Sequence, residues 1–214
     1  MASNANLMVD GNRLATRSLA PGFKVHGERL FQKNGEEWRE WNPNQSKLAA
    51  AIAKGLVAGI AEGDSVLYLG AANGATPSFV SDLVGAKGMV YCVEFSPRAM
   101  RDLIRVCEQR ENMVPILADA RKPQDYAEVK RVDCVFEDVA DPEQGRIMVA
   151  NSRFLEKGGL GLLAVKARCV DSAQEPRLVY EQVEREVSRA FKILQRLDLA
   201  PFEADHAFLA LEKI

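Results

Sequence analysis

From Ser65 onward the chain alternates short, almost uniformly apolar runs with helical patterns, and this alternation constrains the fold more than any other feature. Strands are predicted at Ser65–Gly70, Met89–Phe95, Val114–Ala118, Val132–Glu137 and Gly161–Ala167. Helical patterns fit Thr76–Val84, Pro97–Arg110, Pro142–Leu155 and Pro176–Ala190, and two further β-like runs, Phe191–Leu199 and His206–Lys213, follow. Strands that are apolar along their whole length must be covered on both faces. Helical connections between them imply parallel pairing, so the expected class is α/β: a seven-stranded, mostly parallel sheet with helices on both faces. Ligands of such sheets bind outside the carboxyl ends of the strands, where the strand order reverses. The residues just after each strand are therefore the ones to inspect.

The segment before Ser65 has a different character. Residues 1–12 are small and polar and are expected to be a flexible terminus. Between residues 13 and 43 the pattern is short and strand-like, and Asn34-Gly35 between alternating runs signals a hairpin, because both turn positions need positive φ. A small antiparallel β subdomain is predicted there, with the main domain over 44–214. Leu48, Ile52, Leu56 and Ile60 then recur at helical spacing, with Ser46 or Asn44 near the start. The apolar stretch Leu48–Ala61 contains Lys54 and is too short to span a bilayer, and the first ten residues have no secretory character. With 47% apolar and 27% charged residues the composition is that of an ordinary globular domain. Cys92, Cys107, Cys134 and Cys169 are far apart, which predicts reduced, buried thiols in a cytoplasmic protein and no metal site.

The first predicted strand exits through Tyr68-Leu69-Gly70-Ala71-Ala72-Asn73-Gly74-Ala75-Thr76. Glycines here let the backbone approach a ligand, or simply relieve crowding between strand and helix. The loop is neither the dinucleotide fingerprint nor a phosphate loop, and the Gly70–Gly74 spacing suits a nucleoside without phosphates, such as S-adenosylmethionine. Glu94, at the second exit, is placed to accept from ribose hydroxyls, and Phe95 to cover an adenine. A plain charge ahead of the Ser96-Pro97 helix start is the competing reading of Glu94. The third exit carries Asp119-Ala120 and the fourth Glu137-Asp138-Val139-Ala140, the latter facing the methionine end or the reacting centre. Small or acidic residues at four successive exits favour a Rossmann-like class I S-adenosylmethionine-dependent methyltransferase over a dehydrogenase.

Methyl transfer to a hydroxyl needs an aligned nucleophile and an acceptor for its proton. Lys166 ends the apolar run Leu162–Val165, where desolvation is expected to lower its pKa toward the range of a base, with Asp138 orienting it. A lysine snorkelling from a strand end is the bland alternative. His206 and Lys47 taken singly read as a structural histidine and a surface lysine.

The motifs Glu40-Trp41-Asn42-Pro43 with Ser46–Ala50, Val66–Ala72, Val90–Arg98, Pro115–Pro123, Glu137–Ala140, Val165–Arg168 and Pro201–His206, taken in order, resemble the fibrillarin family, particularly its archaeal members. The resemblance runs from about residue 13 to the end. It implies methyl transfer from S-adenosylmethionine to ribose 2′-hydroxyls of ribosomal RNA, and in archaea of transfer RNA, at sites chosen by a box C/D guide RNA. It also implies a particle with a Nop-domain scaffold protein and a kink-turn-binding ribosomal-type protein. Matching motif to motif, the family's catalytic tetrad falls on Lys47, Asp138, Lys166 and His206. Its cofactor positions fall on Ala75, Thr76, Glu94, Phe95, Asp119, Ala120, Asp138, Val139, Ala140 and Asp141, beside the glycine-loop residues Gly70, Ala71 and Gly74. Two departures stand out: Ala75 where a threonine is common, and Asp141 where glutamine is usual. The sequence has no Gly/Arg-rich N-terminal extension, which suggests the archaeal type.

Two other readings remain compatible with these motifs: a catalytically silent cofactor-binding subunit of the particle, and a stand-alone small-molecule O-methyltransferase. Charge bears on the choice. The chain carries 28 Lys+Arg and 30 Asp+Glu, and residues 1–62 hold a net +2 against −4 in the rest. Without a basic excess the subunit is expected not to hold RNA tightly alone, because such affinity comes mostly from neutralised phosphates.

Overall fold

The computed structural model describes residues 4–11 and 13–214. Strands β1 (Leu7–Asp10), β2 (Arg13–Arg17), β3 (Leu30–Lys33) and β4 (Glu36–Glu40) form an antiparallel sheet in the order β1-β2-β4-β3. Asn34 (φ 54°) and Gly35 (φ 80°) turn β3 into β4, which are the two positive values that a tight hairpin requires. The expectation of a flexible terminus through residue 12 is corrected by β1. Leu7–Asp10 pairs with Arg13–Thr16, and the Asn4 and Asn6 amides donate to the Leu83 carbonyl at 3.0 and 3.2 Å. Small polar side chains here anchor the backbone, whereas composition alone reads as fraying. Residues 1–3 lie outside the described residues.

The main sheet is built from β5 (Ser65–Leu69), β6 (Met89–Glu94), β7 (Met113–Leu117), β8 (Val132–Glu137), β9 (Leu155–Lys166), β10 (Phe191–Asp198) and β11 (His206–Lys213). Their order is β10-β11-β9-β8-β5-β6-β7; β5 to β9 run parallel, and β11 is antiparallel to both its neighbours. The chain leaves β5 toward β6 and β7, then returns to β8 on the other side, so the order reverses between β5 and β8. Helices α1 (Lys47–Ala53), α2 (Ala75–Val84) and α3 (Pro97–Cys107) cover one face, and α4 (Gln144–Asn151) and α6 (Pro176–Val187) the other; α5 (Ala167–Val170) is one turn. Strand alternation sorts the core accordingly. Tyr68, Phe136 and Phe208 form a row of tilted, edge-to-face rings on the first face with centroids 4.6 and 5.8 Å apart, while Leu67, Leu69, Val135 and Val165 face the second.

Two boundaries differ from expectation for local reasons. The helical spacing of Leu48 to Ile60 continues past the helix, but α1 stops at Ala53. Gly55 adopts φ 86°, and the Gly55 and Leu56 amides bond back to the Ile52 and Ala51 carbonyls, a Schellman stop. Leu56 and Ile60 are still buried, so burial and not helix continuation explains their spacing. The fourth predicted helix, drawn to Leu155, ends at Asn151, and β9 begins at Leu155, opposite Val132. Cys92 and Cys134 are buried as expected, but Cys169 is exposed on α5. No helix among the described residues is long and apolar enough to cross a membrane.

A buried ionic knot ties the small sheet to α2. Asp82 accepts from Arg39 at 2.7 Å, Arg110 at 2.6 Å, the Thr16 hydroxyl at 2.7 Å and the Leu19 amide at 3.1 Å, and both arginines and Asp82 are excluded from solvent. Arg39 also reaches Glu28 at 2.6 Å and lies over the Phe79 ring. Replacing Asp82 by alanine leaves the buried Arg110 without a carboxylate and Arg39 with Glu28 alone, and is expected to cost about 3–5 kcal/mol in denaturant unfolding. Burial alone would raise the Glu28 carboxyl, but Arg39 and the Val25 and His26 amides outweigh it and hold the pKa at about 2, below its ordinary 4.5. A lowered folded pKa means stability that is present above pH 4.5 and lost as pH falls toward 2. The stability gap between the native chain and Glu28→Gln, followed by urea unfolding, should therefore shrink over that interval.

Candidate functional site

Each parallel strand exits onto one edge, and the exits of β5, β6, β7 and β8 surround a cleft of about 370 Å³. That volume is within the range of small-molecule sites. Gly70, Glu94, Phe95, Asp119, Ala120, Asp138, Val139, Ala140 and Asp141 line it, together with Ala72, Arg121, Ile147 and Lys166. Ala71, Gly74, Ala75 and Thr76 do not line the cleft. Ala71 is buried beneath it, and Gly74 sits against Leu103 and Val106 of α3, where a Cβ would approach to 3.1 Å.

The loop after β5 is bent by three left-handed residues, Gly70 (φ 82°), Ala72 (φ 49°) and Gly74 (φ 85°). A Cβ on Gly70 would lie 3.0 Å from the Asp138 carbonyl, so glycine allows the first and fourth exits to touch. Glu94 is nearly buried, and its two oxygens accept from the Ala72 and Ser96 amides, each at 2.8 Å. The two readings of Glu94 are thus compatible. It braces the loop and the start of α3, and each oxygen keeps a lone pair for a hydroxyl donor.

Asp119 and Asp141 face each other across Arg121. The guanidinium bonds to both Asp119 oxygens and lies 3.8 Å from Asp141. Those hydrogen bonds hold the Asp119 carboxyl below its ordinary range. The extra negative charge that Asp141 brings therefore has a cation beside it. Phe95 is 73% exposed at the mouth, an apolar ring held in solvent by the start of α3.

The four residues expected to react come from distant parts of the chain. Ser46 caps α1 through the Ala49 amide and its hydroxyl accepts from Thr76 at 3.3 Å, which fixes where Lys47 begins. The Lys47 ammonium lies 3.5 Å, and that of Lys166 3.0 Å, from the same Asp138 oxygen. Lys166 also donates to the Asp138 main-chain carbonyl at 2.7 Å. Lys166 thus lies against the Asp138 that was expected to orient it. His206 stands opposite Lys166 in the β9–β11 register. Its Nδ1 lies 2.6 Å from the Ala204 carbonyl; a carbonyl only accepts, so Nδ1 carries the hydrogen and Nε2 is left for the site.

Three buried groups lie behind the edge: Gln144 and Asn151, which sequence reading missed, and Glu137, which it placed at the fourth exit. Gln144 and Asn151, both on α4, send side-chain amides into the strand exits: Asn151 to the Ala120 carbonyl at 2.9 Å, Gln144 to the β8 and β9 exits. Glu137 is fully buried, neither oxygen has a hydrogen-bond partner among the described residues, and burial pushes its carboxyl up. A polar residue inside an apolar run flags Glu137. Gln144 and Asn151 sit in a helix of mixed polarity and give no such signal.

A sequence profile of the family Fibrillarin matches residues 4–213. The chain belongs to the fibrillarin family. It is 50% identical over 208 residues to the fibrillarin-like rRNA/tRNA 2′-O-methyltransferase of Pyrococcus horikoshii, covering 95% of this chain and 92% of that one. Among solved structures it matches Aeropyrum pernix fibrillarin, crystallised with natively bound S-adenosyl-L-methionine, with a TM-score of 0.87 and 48% identity, covering 93% and 88% of the two chains. It also matches a fibrillarin in complex with Nop5p with a TM-score of 0.90 and 36% identity, covering 98% of each chain. Fibrillarin membership agrees with the seven-stranded, mostly parallel fold and with the motif order read from the sequence.

Gly70→Ala tests the contact that joins the first and fourth exits. A left-handed alanine costs about 1–2 kcal/mol, so unfolding stability should fall by that amount. Amide chemical shifts of Val139 and Lys166 should move with the displaced Asp138 loop.

Proposed function

We propose that this chain transfers a methyl group from S-adenosylmethionine to ribose 2′-hydroxyls of ribosomal and transfer RNA, at positions chosen by a box C/D guide RNA. The observation that carries this reading is Asp138 at the cleft rim, shared by Lys47 and Lys166 and backed by His206 across the strand pair. The cleft is the seat assigned to the cofactor. Glu94 has spare acceptors for ribose hydroxyls, Phe95 offers an exposed ring face to adenine, and Asp119 and Ala120 frame its rim. Gly70 lines the cleft, while Ala71, Gly74, Ala75 and Thr76 act from behind, shaping the loop; Val139, Ala140 and Asp141 close the end near the reacting groups. When bound, S-adenosylmethionine supplies the electrophilic methyl group on a sulfonium.

The remaining chemistry belongs to the chain. Lys166, as the free amine, accepts the hydroxyl proton during transfer. Asp138 orients that amine from two directions, through its carboxylate and its own carbonyl. Lys47 neutralises the carboxylate, and His206 stands opposite Lys166 across the β9–β11 pair. The chain works in a particle with a Nop-domain scaffold, for which the solved Nop5p complex is support, with a kink-turn-binding ribosomal-type protein and the guide RNA completing it in the cytoplasm. A balanced surface charge agrees with RNA being held mainly by those partners.

Lys166→Ala in the reconstituted particle should lower single-turnover methyl transfer about 10²–10⁴-fold while S-adenosylmethionine still binds. Transfer at the native rate would refute the assignment. Omitting guide RNA and scaffold should abolish transfer by the native protein.

A further inference from the structure

We infer that Gln144 is a positioning residue for the reaction: its side-chain amide sets the distance between Lys166 and Asp138. The inference rests on the reading of those two residues as reacting groups. Gln144 opens α4 and is fully buried. Nε2 donates to the Val139 and Ala164 carbonyls, both at 2.9 Å, and Oε1 accepts from the Lys166 amide at 2.9 Å. Both amide hydrogens and the oxygen are thus used, each on a backbone group beside a reacting residue. Val139 follows Asp138, and Ala164 lies two residues before Lys166.

The location explains the need. The β8–β9 ladder ends at Glu137 opposite Leu163. Beyond that pair, Lys166 reaches the β8 exit through its ammonium, which touches the Asp138 carbonyl and carboxylate. A side chain that takes up a proton in the reaction is a poor strut, because its contacts change during the step. Gln144 supplies a link that carries no charge and stays the same throughout. Few side chains could replace it, since an amide alone offers two donors and an acceptor at one tip. Gln144 also does not serve its own helix: α4 has no side-chain cap bond at its start, and this amide crosses to the sheet instead.

The test is single-turnover transfer by reconstituted particles carrying Gln144→Met or Gln144→Glu, with Lys166→Ala alongside. Gln144→Met should slow transfer about 10–10²-fold, the scale of a reacting group displaced by about 1 Å, and leave the S-adenosylmethionine dissociation constant close to native. In Gln144→Glu, an ionised carboxylate would set oxygen against two carbonyls, whereas the protonated acid can donate to one. Gln144→Glu should therefore recover rate as pH falls, a limb that the native profile lacks. That recovery separates positioning from bulk stability, and it decides the matter alone if Gln144→Met does not fold. Native rates in both variants, or a native pH profile in Gln144→Glu, would overturn the inference. If Lys166→Ala collapses while the Gln144 variants transfer normally, only this inference falls. If Lys166→Ala transfers normally, the underlying reading of the reacting groups falls and takes this one with it.

Discussion

Parallel strands all end along one edge, and backbone groups at that edge run out of ladder partners. Buried amide and carbonyl groups must still be paired, at a cost comparable to a lost hydrogen bond if they are not. The structure meets this with side chains drawn from the helices and exits. Glu94 binds the Ala72 and Ser96 amides, Gln144 the β8 and β9 exits, and Asn151 the Ala120 carbonyl. Each of these bonds also fixes a segment lining the cleft. Satisfying the backbone and shaping the site are here the same interaction, and so an edge made only of loops is held in one arrangement.

The small sheet matters to the site through its covalent continuation. Glu40 ends β4, Trp41 stacks on Phe79 of α2 at 4.8 Å, and five residues later Ser46 caps α1 just before Lys47. The ionic knot at Asp82 anchors the same sheet on the same helix. Lys47 is therefore placed by a chain of contacts that begins far from the cleft. Its partner Asp138 is placed by the sheet itself. Two independent supports converge on one carboxylate oxygen.

Much of the architecture was legible because it follows from periodicity. Uniformly apolar runs separated by helices permit few arrangements, and the seven strands were located to within a few residues, apart from the early start of β9. The Asn34-Gly35 hairpin was legible from turn chemistry. Where expectation and structure part, a local signal was outweighed: Gly55 stopped a helix whose apolar spacing continued, and paired backbone ordered a stretch whose composition suggested fraying. The carboxylates at strand exits were legible as a pattern, but not their surroundings. Nothing in the sequence says that Arg121 lies between Asp119 and Asp141, or that Thr76 bonds to Ser46.

By itself, then, the sequence determined the fold class, the edge on which chemistry had to lie, and the family to which the motifs belong. These depend on residue types and their spacing along the chain. Only the tertiary structure decided that Lys47 and Lys166 meet at Asp138 with His206 opposite Lys166, because the four are separated by up to 159 positions and no periodicity relates them. It alone revealed Gln144, whose role depends on three backbone groups contributed by two different strand exits. A hydrogen bond is directional and short, so a residue that works through one is identified by where its partners end up.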